Sequence, residues 1–261
     1  GVMPFATDIV LEEEDSVALE QRNTTALEGK LNVAVVHLKY LSNYTDFQAL
    51  EQEPLINLYF TRDVSELEKA DVLIIPGSKN TIEDLVALKD EGIDKTVQNL
   101  YSEIPVIGIC GGYQMMGKWI EDPYQVESNR GREEGLGLFN ISTTLTKEKT
   151  VLQREFNFKH HSDTCQGYEI HMGETVSPEG MHLNLIDGTP EGYHDGEKSW
   201  GTYLHGILDN PVVVNELLHL KDKKAQAQHY LQFKEEQYDK LANWVEENLD
   251  MASIIKNSKE V

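Results

Sequence analysis

A cysteine set among glycines, in the run Gly108-Ile109-Cys110-Gly111-Gly112-Tyr113-Gln114, offers the sharpest chemistry in this sequence. A short apolar run, Pro105-Val106-Ile107-Gly108-Ile109, delivers Cys110 to a glycine turn, and a helix-like stretch from Tyr113 to Ile120 follows. That order is a nucleophile elbow with sulfur in place of a hydroxyl. Glycine neighbours permit the sharp turn and unusual φ. A helix starting behind the sulfur aims its N–H groups at it and favours the thiolate. The Gly111 N–H can help hold the oxyanion of a tetrahedral intermediate. The ordinary alternative is an inert, buried strand-end cysteine; the glycine-flanked strand–helix junction argues against it.

A thiolate nucleophile needs a base, most often histidine. Among nine histidines, His205 stands out in Gly201-Thr202-Tyr203-Leu204-His205-Gly206, at the end of a strand-like run. His171, in Gly167-Tyr168-Glu169-Ile170-His171-Met172-Gly173, is the second candidate, and His160-His161 read as surface. The loop Pro76-Gly77-Ser78-Lys79-Asn80 follows another apolar strand. Ligands of open α/β sheets bind outside the carboxyl ends of strands, so this loop can supply a second oxyanion donor. Otherwise it is an ordinary turn. No phosphate loop, no dinucleotide fingerprint and no zinc-spaced Cys/His set is present, so no cofactor or metal is expected in this chain.

The elements that must position these groups read as an α/β domain. Buried strands are predicted at Leu31–Val36, Ile56–Phe60, Asp71–Gly77 and Pro105–Cys110, with amphipathic stretches between them. One such stretch starts near Thr81, the expected N-cap, with Glu83 and Asp84 in its first turn. Continuous apolar strands alternating with helices imply a mainly parallel central sheet flanked by helices. From about residue 135 the pattern changes to strand-like pieces at Gly137–Ile141, Gly167–His171 and Thr202–Gly206, then helices over 212–220 and 225–250. The expected division is a linker over 1–30, one domain over 31–220 and a helical extension over 221–261.

A length of 261 residues suffices for a large core. The formal net charge of −22 makes nucleic acid and anionic membranes poor partners. Two cysteines, no signal-peptide pattern and no long apolar run point to a reducing cytoplasm.

These residues resemble the class I, triad-type glutamine amidotransferases, and within them the cobyric acid synthase branch. The matching pieces run in order: Leu41–Phe47, Pro76–Thr81, Gly108–Met115, Asp122-Pro123, Glu127-Ser128, Gly135–Leu138, Gly167–Gly173 and Gly201–Gly206. The resemblance implies a flavodoxin-like fold and a glutaminase. Cys110 attacks the glutamine carboxamide, His205 transfers protons, and Gly77, Ser78, Gly111 and Gln114 hold the oxyanion and the glutamine. The leader from Gly1 to Ser16 resembles the end of that branch's N-terminal synthetase domain, so a longer enzyme is expected. Its missing domain would use ATP and Mg²⁺ to amidate carboxylates of a corrinoid, and the piece alone would be only a glutaminase.

One departure matters. Many class I members carry Glu two residues after the histidine; here that position is Ile207. The same branch lacks that Glu, which leaves the group orienting His205 unassigned, although Asp209 is near in sequence. An unoriented histidine predicts weak glutaminase activity. The rival readings are the amidotransferase subunit of a peptidoglycan-precursor ligase, a cobyrinic acid diamide synthase, another cysteine hydrolase, or a degenerate docking domain.

Overall fold

The computed structural model describes residues 3–6, 9–10, 23–178 and 181–258. The leader read as the tail of a preceding domain lies largely outside them. The first half alternates strand and helix: β1 (Leu31–Val36), α1 (Gln48–Gln52), β2 (Ile56–Thr61), α2 (Val64–Leu67), β3 (Val72–Ile75), α3 (Thr81–Asp90), α4 (Ile93–Tyr101), β4 (Val106–Ile109) and α5 (Gly111–Met115). The second half is strand-rich: β5 (Trp119–Glu121), β6 (Arg132–Glu134), β7 (Ser142–Phe158), β8 (Thr164–Val176), β9 (Asn184–Ile186), β10 (Thr189–Glu191), β11 (Tyr193–His194), β12 (Trp200–Thr202) and β13 (Leu204–His205). Helices α6 (Pro211–Leu218), α7 (Tyr230–Asn248) and α8 (Met251–Ser258) follow.

The central sheet has the order β11-β12-β4-β3-β1-β2, parallel throughout except for β11. Every residue of β3 and β4 is buried. That is the burial a parallel sheet covered on both faces imposes. Alternate residues feed two cores. Val33, Val35, Val72 and Ile74 pack with Leu50 of α1 and Val213 and Leu217 of α6. Ala34, Val36, Leu73 and Ile75 pack with Ile82 and Leu85 of α3 and Val97 of α4. The chain order reverses between β1 and β3, the flavodoxin-like winding, whose ligand crevice lies at the carboxyl ends of those strands.

A second sheet, mostly antiparallel, has the order β10-β9-β7-β5-β6, with β8 against β7 and β13 against β8. Leu145 faces Gly173 but Thr150 faces His171. Four residues of β7, Thr146 to Lys149, therefore oppose Met172 alone, a bulge that bends the hairpin locally.

Three local expectations are corrected. The side chain of Asn80, not Thr81, caps α3, accepting from Glu83 N at 3.2 Å. The helix after Cys110 ends at Met115, and Ile120 lies in β5. The stretch Gly137–Ile141 is not a strand: Gly137 has φ +69°, and its N–H and that of Phe139 bond to the carbonyls of Gly117 and Met116 behind α5. None of the described helices is long and apolar enough to cross a membrane.

Candidate active site

Cys110 joins β4 to α5 with φ 50° and ψ −111°. For a residue with a β-carbon this conformation costs about 1–3 kcal/mol, strain that the surroundings must hold in place. They do so from both sides. Cys110 N donates to Thr202 O of β12 at 2.8 Å, and Cys110 O accepts from Gln114 N at 3.1 Å. Crossing so tightly behind β3 requires a missing side chain at Gly112, where a β-carbon would stand 1.9 Å from Ile75 O. Gly112→Ala is therefore expected to destabilise the fold by roughly 3 kcal/mol or more, because a backbone carbonyl cannot step aside. Urea unfolding checks this, and an unchanged midpoint would contradict it.

His205 is 1% exposed, and the Cys110 side chain lies near enough to its imidazole to raise its affinity for a proton, while Cys110 Sγ stands 3.7 Å from the Ile170 carbonyl oxygen. Its Nδ1 stands 2.7 Å from Asp46 Oδ2, and Asp46 Oδ1 accepts from Gly206 N at 2.8 Å. Asp46 is equally buried, in the 3₁₀ turn Tyr44–Phe47 beyond β1. The Tyr168 ring stacks on the imidazole at 5.3 Å, and Asn43 donates to the Tyr168 hydroxyl at 2.9 Å. The partner of His205 Nδ1 is thus Asp46 rather than Asp209, and the premise of an unoriented histidine is overturned. With a carboxylate at Nδ1, that nitrogen carries the proton and Nε2 is left to the sulfur. Asp46 went unassigned in the sequence; its only signal was its place in the Leu41–Phe47 piece, just past the carboxyl end of a strand.

Burial alone would lower the pKa of His205, but the Asp46 carboxylate and the Cys110 side chain outweigh it and hold the imidazole well above its ordinary value. A raised histidine pKa gives stability that is complete below about pH 6.5, the unfolded value, and is lost as pH rises through the folded one. The stability advantage of the native chain over Asp46→Asn should therefore be largest near pH 6 and shrink towards pH 9. Denaturant midpoints at each pH measure it, and a difference that grows with pH would contradict it.

The loop after β3 reaches the same point. A β-carbon on Gly77 would lie 3.4 Å from the His205 ring and 3.7 Å from the Cys110 β-carbon. The Ser78 hydroxyl donates to Asp84 Oδ2 at 2.6 Å, so its side chain serves the loop, while Ser78 N lies 3.0 Å from where a Gly111 β-carbon would be. Asp84 also accepts from Lys39 N and Tyr40 N, tying the loops after β1 and β3 to α3. Gln114 is buried, and its Nε2 donates to the Tyr203 hydroxyl at 3.2 Å, which in turn bonds Thr175 Oγ1 at 2.6 Å.

Between β12 and β13 the chain leaves the central sheet for the second one. The carboxylate of Glu191, which burial pushes towards a higher pKa, accepts there from Tyr203 N at 2.7 Å, from Thr202 Oγ1 and from Asn184 Nδ2. Through Thr202 O it steadies the Cys110 backbone, and through the corner it sets the approach of His205. Nothing in the sequence around Glu191 signalled this.

A cavity of about 450 Å³ opens over Cys110, lined also by Ser78, Gln114, Glu127, Lys149 and His171. His171 shares the cavity, but its Nδ1 is 3.0 Å from Gly173 O, its ring stacks on Tyr203 at 3.9 Å, and Glu169 lies 3.5 Å from its Nε2. His205, not His171, is the imidazole held by a buried carboxylate and raised in proton affinity by the Cys110 side chain. Among the described residues no group of three or more His, Cys, Asp and Glu side chains is arranged to hold a metal ion.

Residues 32–213 match the family model for the CobB/CobQ-like glutamine amidotransferase domain. A cobyric acid synthase of Parabacteroides distasonis is 46% identical, the alignment taking in 99% of this chain and 54% of that protein. One of Listeria monocytogenes serotype 4b is 40% identical over the same shares. The chain thus spans about half the length of these relatives. A crystal structure described as a glutamine amidotransferase has a TM-score of 0.57 at 19% identity, covering 72% of this chain and 97% of that one. PurLQS from Thermotoga maritima has a TM-score of 0.52 at 14% identity, covering 67% and 87%. Likeness at such identities is likeness of fold, in line with the flavodoxin-like winding.

Proposed function

This chain belongs to the CobB/CobQ-like glutamine amidotransferase family, and from that premise we propose that it is the glutamine-hydrolysing part of a cobyric acid synthase. The observation that carries the chemistry is the succession Asp46–His205–Cys110, of which the cysteine lines the cavity and the other two are buried behind it. Cys110 Sγ attacks the carboxamide carbon of glutamine while His205 takes the thiol proton. The oxyanion is held by Gly111 N–H and a backbone N–H of the Gly77-Ser78 loop. His205 returns the proton to the departing nitrogen, ammonia leaves, and a γ-glutamyl thioester remains. Water, deprotonated by His205, cleaves the thioester to glutamate and restores the thiol. Asp46 keeps the imidazole in the required tautomer throughout.

In the longer enzyme the ammonia would serve a synthetase domain that activates corrinoid carboxylates with ATP and Mg²⁺. Support for this assignment, over a peptidoglycan-type subunit or a diamide synthase, comes from the cobyric acid synthases that match nearly the whole chain, residues outside 32–213 included. The test has two arms. The purified chain with glutamine should release equimolar glutamate and ammonia. With ATP and a carboxylated corrinoid it should form corrinoid amide only after a synthetase domain is supplied. Failure to release glutamate would overturn the glutaminase reading, and a supplemented reaction that yields no corrinoid amide would overturn the assignment to cobyric acid synthase.

A further inference from the structure

Asp46 holds the His205 ring at one point, with Oδ2 2.7 Å from Nδ1. A ring fixed by a single hydrogen bond can still tilt about it and carry Nε2 off line with the sulfur, and proton transfer is sensitive to that alignment. A second group lies flat against the ring. In the pairing of β13 with β8, His205 stands opposite Tyr168 and Leu204 opposite Glu169. The two strands approach so closely that a β-carbon on Gly167 would lie 2.7 Å from His205 O. Side chains directly opposite in an antiparallel pair meet, and here the two rings stack at 5.3 Å with 22° between their planes. Two residues further along β8, Ile170 O is 3.7 Å from Cys110 Sγ, so one strand meets both the base and the nucleophile.

The far end of the Tyr168 ring is tied down as well, its hydroxyl accepting from Asn43 Nδ2 at 2.9 Å. Asn43 precedes the 3₁₀ turn Tyr44–Phe47 with φ 51° and ψ 59°, a left-handed conformation that asparagine tolerates better than most residues. An asparagine side chain in that place ordinarily caps the turn. Here it makes no capping bond and reaches across to β8 instead. Its carbonyl accepts from Asp46 N at 3.1 Å. One residue thus joins the ring on the face of the imidazole to the carboxylate at its edge. Charge enters too. His205 is buried, so the imidazolium formed when it takes the thiol proton has little water around it. An aromatic face within about 6 Å attracts such a desolvated cation.

Building on the glutaminase reading, we propose that Tyr168 is a positioning residue: its ring fixes the plane of the His205 imidazole and faces the charge that the imidazole gains from Cys110, and Asn43 locks that ring to the turn carrying Asp46. Tyr168 does not line the cavity over Cys110. It acts through the histidine, so its loss should appear in kcat and not in KM.

Three variants test this. Tyr168→Leu removes the ring, Tyr168→Phe removes only the hydroxyl, and Asn43→Gly removes the amide while keeping the left-handed backbone. Tyr168→Leu should lower kcat for glutamine about thirtyfold, with KM within about threefold of native. Tyr168→Phe should recover most of that loss, to within about fivefold of native, because the stacked face remains. Asn43→Gly should lose about as much as Tyr168→Phe, and the double variant no more than either, since both remove the same bond. The second readout needs no turnover. A facing ring favours the charged imidazole, so its removal lowers the titration midpoint of His205. Followed by NMR in a Cys110→Ala background, that midpoint should fall by about half a pH unit or more in Tyr168→Leu and stay in place in Tyr168→Phe. Asp46 at Nδ1, and Asp209, whose Oδ2 lies 3.7 Å from where a Gly206 β-carbon would be, are common to every chain compared. An unmoved midpoint in Tyr168→Leu would show that the ring only braces the strands. A Tyr168→Phe as slow as Tyr168→Leu, or additive losses for Tyr168→Phe and Asn43→Gly, would show that the stack and its tether are not what matters; each of these results overturns the proposal. If Tyr168→Leu does not fold, the comparison of Tyr168→Phe, Asn43→Gly and their double variant decides alone. A native chain that releases no glutamate, with the midpoint still lowered in Tyr168→Leu, would refute the glutaminase reading and leave the assignment of Tyr168 to His205 standing.

Discussion

Replacing Cys110 with alanine is expected to lower glutamate release from glutamine by about 10⁴-fold or more, with thermal stability unchanged or slightly raised. The size follows from what the position does. The φ of 50° and ψ of −111° serve no packing purpose; they turn the side chain out of the sheet into the cavity shared with Gln114 and Glu127. Strain of this kind persists only because β12 and α5 hold the backbone from both sides. Alanine fits the same backbone, so the loss is chemical and not structural. Cys110→Ser is the sharper control, since its hydroxyl has the shape but far less nucleophile at neutral pH. Residual turnover above about one hundredth of native in either variant would mean that another group performs the attack. Mass spectrometry after a glutamine-like electrophile should find the adduct on Cys110, not on Cys165, which is buried and whose thiol pKa burial raises to about 11.

What could be read from the sequence was what is local. The run from Pro105 to Gln114 contains a strand, its turn and the start of a helix within a few residues, so the elbow shows in residue order alone. His205 was legible for a similar reason, as a strand-end histidine beside glycine. The parallel sheet declared itself in unbroken apolar runs such as Val72–Ile75. Asp46 was not legible, because its contact with His205 spans 159 positions and exists only once β1 and β12 lie in one sheet. The carboxylates of Glu191 and Glu127 share that difficulty. Each bonds backbone N–H groups or hydroxyls brought in from other elements, and such partners leave no pattern around the acid itself. The second sheet was seen only in pieces. A 17-residue strand that serves three neighbours in turn, with a bulge inside it, has no single alternation to detect.

Asp46→Asn is expected to lower kcat by about 10³-fold while leaving KM for glutamine within a few-fold of native. The substitution is nearly isosteric, and Oδ1 of the new amide can still accept from Gly206 N–H, the bond Asp46 makes now. The amide nitrogen is then forced towards His205 Nδ1, where a carboxylate oxygen stands at 2.7 Å. Two donors cannot share that contact, so the imidazole proton moves to Nε2 and Nδ1 becomes the acceptor. An Nε2 that already carries a proton cannot take one from Cys110. Asp46 bonds His205 and Gly206, whereas the cavity-lining Gln114 and Glu127 bond Tyr203, Thr81 and Ile82, which is why the cavity, and with it KM, should survive. Asp46→Ala should lose a comparable amount of kcat by a different route, leaving the imidazole free to turn and to lose its raised affinity for a proton. Combining Asp46→Asn with Cys110→Ala should be hardly worse than Cys110→Ala alone, because the carboxylate acts only through the histidine that serves the sulfur. A loss in kcat below tenfold for Asp46→Asn, or additive losses in the double variant, would mean that His205 is oriented by some other group, and Asp209 would be the first to replace.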